Sequence, residues 1–107
     1  MADIIVFTAI NELDKAEELI TEMLEKDLII SGTIFPEVKL FFKWDGKINI
    51  DDEIKIMIKA REENYAKIEE YIQNNHPYLF PELVKIPVTT GSEKFKTFLS
   101  KRAEESN

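Results

Sequence analysis

Cysteine is absent from this 107-residue chain, and histidine occurs only once. Disulfide bonds, thiolate catalysis and cysteine-based zinc or iron–sulfur sites are therefore excluded. Glycine is also scarce, with three in the chain, and none forms the glycine-rich loop that cradles phosphate in nucleotide-binding proteins. No nucleophile elbow and no pair of histidines at helical spacing is present. The sequence therefore predicts a protein without enzymatic activity.

Basic residues are in the minority, since 14 Lys and Arg stand against 21 Asp and Glu, a formal net charge of −7. Nucleic-acid binding depends on neutralising phosphates, so an acidic chain without a basic cluster is a poor candidate, and an anionic membrane surface is disfavoured for the same reason. No apolar run approaches the ~20 residues needed to span a bilayer. Met1–Asp3 lacks the basic region of a signal peptide. These features predict a cytoplasmic protein with no nucleic-acid or membrane partner.

The length and the 44% hydrophobic content suit one globular domain, residues 1–107. An apolar run at Ile4–Thr8 predicts a first strand. Apolar residues then recur at helical spacing and predict an amphipathic helix that ends near Lys26. Asn11 is the expected N-cap of this helix, with Asp14 completing the cap.

A long hairpin is predicted next. Leu28–Ile34 is apolar and contains Ser31–Gly32, which indicates a strand with a bulge. After Pro36 apolar and polar residues alternate up to Asp45–Gly46, a dipeptide typical of tight hairpin turns. The alternation resumes on a return strand that runs to Ala60.

A second amphipathic helix follows and stops at His76–Pro77. Leu83–Val88 then predicts a strand, and Pro87 within it marks an edge strand. Ser92 is the expected cap of a last helix. The order β-α-β-β-α-β plus a helix predicts an α+β, ferredoxin-like fold with helices on one face of the sheet. The other face is apolar and has no cover of its own.

The predicted hairpin arm is longer than a typical strand pair, since Phe35–Trp44 spans about 30 Å at ~3.3 Å per residue. It carries Phe41, Phe42 and Trp44 near its turn. An exposed apolar edge of this kind is normally paired or covered. Closed assembly of several copies through their arms would bury these side chains. The alternative is that the arm folds back on its own core.

Several segments, in order and over nearly the whole chain, resemble the CutA divalent-ion tolerance family. They are WDGK at Trp44–Lys47, EIKIMIK at Glu53–Lys59, HPYLFPEL at His76–Leu83, Ile86–Val88, Gly91, and Phe95 and Leu99 in the closing helix.

The resemblance implies a ferredoxin-like subunit in a compact homotrimer, related in architecture to the PII signalling proteins. It implies a part in the tolerance of copper and other divalent metals, and no firmly assigned reaction. No cofactor is required, although a weakly bound copper or zinc ion is compatible with the resemblance. Ser31 stands where the family usually has cysteine, so the soft sulfur ligand is missing. Further departures are Leu40 for serine, Phe42 for tyrosine and Ala60 for threonine.

His76 is the first candidate metal ligand, because imidazole suits copper, zinc and nickel and a trimer would supply three copies. Its structural interpretation is a residue that caps the end of the second helix. Glu82 is the second candidate ligand. Its structural interpretation is an ion pair with Lys59 or Lys85.

Glu53 and Lys59 lie on the same face of the return strand, opposite the isoleucines. If a neighbouring subunit covers that face, they line an intersubunit cleft as a buried acid and base. If the face stays wet, they form ordinary surface ion pairs. Trp44 and Tyr78 belong to the same predicted cleft, as packing residues of the interface.

Two functions stay open at this point. The first is a non-enzymatic trimer of divalent-cation tolerance that binds metal weakly. The second is a PII-like module for a small ligand or a partner protein, with an indirect link to metals. A third, an acylphosphatase-like hydrolase, requires an arginine-bearing anion loop after the first strand, which Thr8–Asn11 does not provide.

Overall fold

A four-stranded antiparallel sheet organises the computed structural model, which describes residues 2–105. The elements are β1 (Asp3–Ile10), α1 (Leu13–Glu25), β2 (Ser31–Trp44), β3 (Lys47–Arg61), a 3-10 turn (Glu62–Asn64), α2 (Tyr65–Asn75), β4 (Val84–Val88) and α3 (Glu93–Glu105). The strand order across the sheet is β2-β3-β1-β4. This order is the ferredoxin-like topology, so the predicted α+β fold and the edge position of the strand containing Pro87 are confirmed.

One face of the sheet forms the hydrophobic core with α1 and α2. Alternate residues of β1 and β3 point towards the helices because side chains of a strand alternate between its two faces. The buried core residues are Ile4, Val6, Ile10, Ala16, Leu19, Ile20, Met23, Ile29, Ile54, Ile56, Ile58, Ala60, Ile68, Tyr71 and Ile72.

The opposite face of the sheet is only partly covered and carries apolar side chains in β1 and β4 beside charged ones in β3. Ile5 and Phe7 in β1 are half-buried, and Ile86 beside them in β4 is exposed. One end of this face is sheltered by α3, where Phe95, Leu99 and the neighbouring strands enclose a cavity of about 140 Å³. The remainder of the face resembles the buried side of an interface more than a solvated surface.

The hairpin of β2 and β3 extends beyond the rest of the sheet, as expected. Pairing between β1 and β3 ends at Ile54, whereas β2 and β3 continue to pair as far as Trp44 and Lys47. We call residues 38–53 the arm. Its turn has positive φ angles of 51° at Asp45 and 73° at Gly46, as a tight two-residue hairpin requires. The exposed apolar side chains of the arm are Leu40, Phe41, Phe42, Trp44, Ile48 and Ile50.

The bulge in β2 is not where the sequence predicts it. The strand begins at Ser31, and the register against β3 shifts between Phe35 and Val38 rather than at Ser31–Gly32. Pro36 lies inside this shift. Because proline has no N–H to donate to the ladder, a strand tolerates it at such an irregularity.

The predicted cap of α1 is also wrong. The N-cap is Glu12, and no side chain there accepts a hydrogen bond from the first turn. Asn11 lies one residue further out than a cap. The cap predicted for α3 is confirmed, because the Ser92 hydroxyl accepts a hydrogen bond of 3.1 Å from the Phe95 backbone N–H.

Gly32 is placed where β2 crosses α1 so closely that a side chain does not fit. A Cβ at this position would lie 2.8 Å from Cγ2 of Ile20, and Ile20 is itself packed in the core. We expect Gly32→Ala to lower the free energy of unfolding by about 1–3 kcal/mol, the usual cost of overpacking. Urea denaturation at fixed protein concentration measures this effect.

Gly91→Ala is the matched control for this substitution. A Cβ at Gly91 would have its nearest neighbour at 3.8 Å, on the Lys96 side chain, so no clash arises. Equal stability of the Gly32 and Gly91 variants would contradict the close approach of α1 to β2.

Candidate functional site

Lys55 is the centre of a charged cluster at the base of the arm. Its Nζ donates to both carboxylate oxygens of Glu82, at 2.9 and 3.0 Å, and lies 3.2 Å from Oε1 of Glu53. Glu53 and Lys55 lie on the sheet face that the helices do not cover, since the intervening Ile54 points into the core. The cluster therefore joins the arm to the loop that follows α2.

The pKa of Lys55 reflects this position. Partial burial lowers the pKa, but hydrogen bonds to Glu82 and Glu53 raise it by more, so the value lies above its ordinary 10.5. The ammonium group is thus held charged. Two carboxylates facing one ammonium leave the cluster with excess negative charge.

His76 closes the adjoining loop onto β1. Its side chain is 8% exposed, its Nε2 lies 2.7 Å from the carbonyl oxygen of Ala9, and its Nδ1 accepts a 3.1 Å hydrogen bond from the backbone N–H of Tyr78. Because Nδ1 accepts, the ring hydrogen is on Nε2, where it is donated to Ala9. Ala9 in turn faces Lys55 across the sheet. Both ring nitrogens are therefore engaged in backbone hydrogen bonds.

Tyr78 lies against the same group of acids. Its ring contacts the His76 imidazole edge-on, with 4.7 Å between the ring centroids. Burial raises the pKa of the Tyr78 hydroxyl above its ordinary value, and the negative charges of Glu53, Glu12 and Asp51 raise it further. The arm base is therefore a region of negative potential with a tyrosine at its edge.

Four of the six residues predicted from the sequence are thus brought together around Lys55, namely Glu53, His76, Tyr78 and Glu82. The two others lie apart within the chain. Trp44 is at the tip of the arm and is 73% exposed, and Lys59 lines the small cavity under α3. No ion pair joins Glu53 to Lys59 among the described residues. Glu53 binds Lys55 at the base of the arm, whereas Lys59 lines the cavity under α3.

The partner predicted for Glu82 is wrong. Glu82 binds Lys55 rather than Lys59 or Lys85, and Lys85 instead lies 2.8 Å from Glu62. Lys55 is not among the site residues predicted from the sequence. The one feature of the sequence that indicates Lys55 is its alternation with the core isoleucines, which places it on the same face of β3 as Glu53.

Within residues 2–105, no group of three potential ligands among His, Asp and Glu side chains is arranged to hold a metal ion. The available donors are also occupied, since Glu53 and Glu82 bind Lys55 and His76 binds two backbone groups. A metal would have to compete with these bonds or take ligands from a second chain. The ligand role of His76 and Glu82 stays a prediction.

Stability should fall as the pH rises above about 10. Burial and the Glu22 carboxylate, which accepts a 2.7 Å hydrogen bond from the Tyr71 hydroxyl, hold the pKa of Tyr71 above its ordinary 10.0. Lys55, Tyr65 and Tyr78 also have raised pKa values. The folded chain therefore binds more protons than the unfolded chain at alkaline pH, and stability present below pH ~10 is lost as the pH rises through the folded-state values.

Urea midpoints measured from pH 8 to 11 test this expectation. Tyr71→Phe removes the most strongly shifted hydroxyl, so its midpoint should fall less steeply with pH than that of the native chain. Parallel pH profiles for the two proteins would contradict the assignment to Tyr71.

The family comparison covers almost the whole chain. Residues 4–102 match the model described as CutA1 divalent ion tolerance protein. A divalent-cation tolerance protein CutA from Archaeoglobus fulgidus is 33% identical over 99 residues, which cover 92% of this chain and 96% of the relative. The corresponding protein from Pyrococcus horikoshii is 31% identical, with 90% and 93% coverage.

Solved structures of similar proteins have the same fold. The A. fulgidus protein superposes with a TM-score of 0.81 at 28% identity, covering 94% of this chain and 98% of that one. CutA1 from Oryza sativa superposes with a TM-score of 0.84 at 24% identity, covering 95% of this chain and 94% of that one. At this identity the likeness shows the fold alone.

The names of similar proteins point to more than one compartment. The A. fulgidus structure is described as periplasmic, and a relative from Arabidopsis thaliana is described as chloroplastic. A cytoplasmic location therefore stays a prediction. No helix within residues 2–105 has the length and apolar character needed to cross a membrane.

Proposed function

Because this chain belongs to the CutA1 divalent ion tolerance family, we propose that it contributes to the tolerance of divalent cations as a non-enzymatic homotrimer. The observation that carries the proposal is the family match over residues 4–102. Its relatives from A. fulgidus and P. horikoshii are named for divalent-cation tolerance. No observation favours a second function of the PII type.

Exposed apolar surface supports assembly. The arm presents aromatic side chains on both of its faces, with Phe42 and Trp44 on one and Phe41 on the other. Ile86 and Val84 at the outer edge of the open sheet face are exposed as well. Surfaces of this kind are normally buried between subunits. Trimer formation through the arms would cover them and place Trp44, Glu53, Lys59 and Tyr78 along the intersubunit cleft.

Carboxylates at the arm base are the proposed contact for the cation. Glu82 and Glu53 give this region more negative charge than Lys55 neutralises. Binding should be weak, since Ser31 offers no thiolate and a divalent ion must displace the lysine. In this proposal His76 supports the contact through the loop that it holds, and it could act as a ligand in the trimer only if a backbone hydrogen bond to its ring broke.

Calorimetric titration with Cu²⁺ and Zn²⁺ tests the metal contact. We expect weak binding by the native protein and at least a roughly tenfold loss of affinity in Glu82→Gln, as large as the loss of an outer-shell partner in known sites. Glu25→Gln removes an exposed carboxylate of α1 and serves as the control. Equal affinities of the three proteins, or no heat above buffer, would overturn the assignment to Glu82.

Growth of a copper-sensitive host tests the function itself. Expression of the native chain should extend growth to higher copper concentrations. An unchanged copper limit with normal expression would overturn the proposed role in tolerance.

A further inference from the structure

A second charged site lies at the end of the sheet opposite the arm. A cavity of about 480 Å³ opens there between the α1–β2 connection, the start of α2 and the end of α3. Its volume is within the range of small-molecule sites, roughly 300–1,000 Å³. The basic residues that line it are Lys26, Arg61 and Lys67. This cavity shares no residue with the cluster around Lys55.

Arg61 is the unusual residue of this cavity, because it is only 8% exposed and poorly satisfied. Its Nη1 lies 3.2 Å from Oδ1 of Asp3, and its buried Nε has no hydrogen-bond partner. A guanidinium has five N–H donors. Among residues 2–105 only the bond to Asp3 uses one of them. A buried cation with so few partners is costly unless a further acceptor satisfies it.

The surroundings of Arg61 favour an anion as that acceptor. Neither Lys26 nor Lys67 has a carboxylate within 4.0 Å in the described part of the chain, so both ammonium groups are available.

Acidic residues also line the cavity, and their negative charges oppose the binding of an anion. Asp27, Glu63 and Glu104 are all exposed, so water and salt screen their charges. Arg61 is buried and is screened far less. Asp3 offsets part of the guanidinium charge, so an anion that enters is attracted by the remaining Arg61 donors together with the two unpaired ammonium groups of Lys26 and Lys67 at the exposed rim.

We propose that this cavity binds the phosphate group of a small organic molecule, with Arg61 as the buried anchor and Lys26 and Lys67 as contacts at the rim. Arginine matches a phosphate because its planar donors form two parallel hydrogen bonds, and lysine adds charge without such geometry. The cavity is larger than an inorganic phosphate ion and leaves room for the organic part.

Titration of ¹⁵N-labelled full-length protein with inorganic phosphate, at constant ionic strength, tests the proposal. The side-chain Nε–H signal of Arg61 and the amides of residues 26–30 and 61–67 should shift together and saturate. Lys67→Ala, an exposed residue whose loss leaves the core intact, should weaken binding about fivefold, and Arg61→Lys about tenfold or more.

Lys43→Ala, at the far end of the arm, is the matched control and should bind phosphate as the native protein does. Three outcomes would overturn the proposal: no saturable shift at Arg61, the same affinity in the native and Lys67 proteins, or equal shifts with potassium chloride. Acetate binding as tightly as phosphate would overturn the assignment to a phosphate group. Because no divalent metal is added, failure here is independent of the copper and zinc titrations.

Discussion

Replacing Phe42 with serine is expected to convert the proposed trimer into single chains of 12.5 kDa. Phe42 lies on the arm, on the same face as Leu40 and Trp44, and 37% of its surface stays exposed in the single chain. Truncating a buried phenylalanine costs about 3–5 kcal/mol, and a trimer would lose this at each of three sites. Sedimentation velocity at several protein concentrations measures the change.

Lys43→Ala is the control for this experiment. Lys43 is the next residue on the strand and is also exposed, but its side chain ends in an ammonium group and points to the other face of the arm. We expect this variant to sediment with the native protein, as three chains. A native protein that sediments as one chain at all concentrations would contradict the trimer, whatever the variants do.

Removing the His76 imidazole is expected to lower the free energy of unfolding by about 3 kcal/mol. In His76→Ala the carbonyl of Ala9 loses its donor and the N–H of Tyr78 loses its acceptor, and the ring leaves a void beside them. A buried group left unsatisfied costs about 1–3 kcal/mol, so two such groups and the void account for this loss. Chemical denaturation in the presence of a chelator isolates the effect from metal binding.

Tyr78→Phe is the matched control, because it keeps the backbone N–H and the ring that contacts His76 but removes the hydroxyl. It should change stability by less than about 0.5 kcal/mol, as a change at a partly exposed position usually does. If His76→Ala were as stable as this control, the hydrogen bonds to Ala9 and Tyr78 would not hold the loop.

The fold was predictable because each element has a local pattern. The helical spacing in α1 and the alternation on either side of Asp45–Gly46 require no knowledge of distant contacts. The prediction of the bulge in β2 was wrong because its position depends on contacts between distant parts of the chain. The bulge contains Pro36 and does not lie at Gly32, because a glycine between a strand and a helix can serve close packing as well as a bulge.

The site was predictable only as a set of residues. Glu53, His76, Tyr78 and Glu82 are separated by up to 29 positions, and their grouping depends on the path of the loop after α2. Lys55 binds Glu82 across 27 positions, a pairing that no short-range pattern contains. The sequence indicates which residue types suit the site, but the distances in the folded chain decide which lysine Glu82 contacts.

β3 runs without interruption from the arm into the centre of the sheet, and it contains neither glycine nor proline from Lys47 to Arg61. Its partner β2, in contrast, changes register beside Pro36. One strand therefore links the turn of the arm to the cavity that Arg61 lines, and it contains no residue that favours a bend.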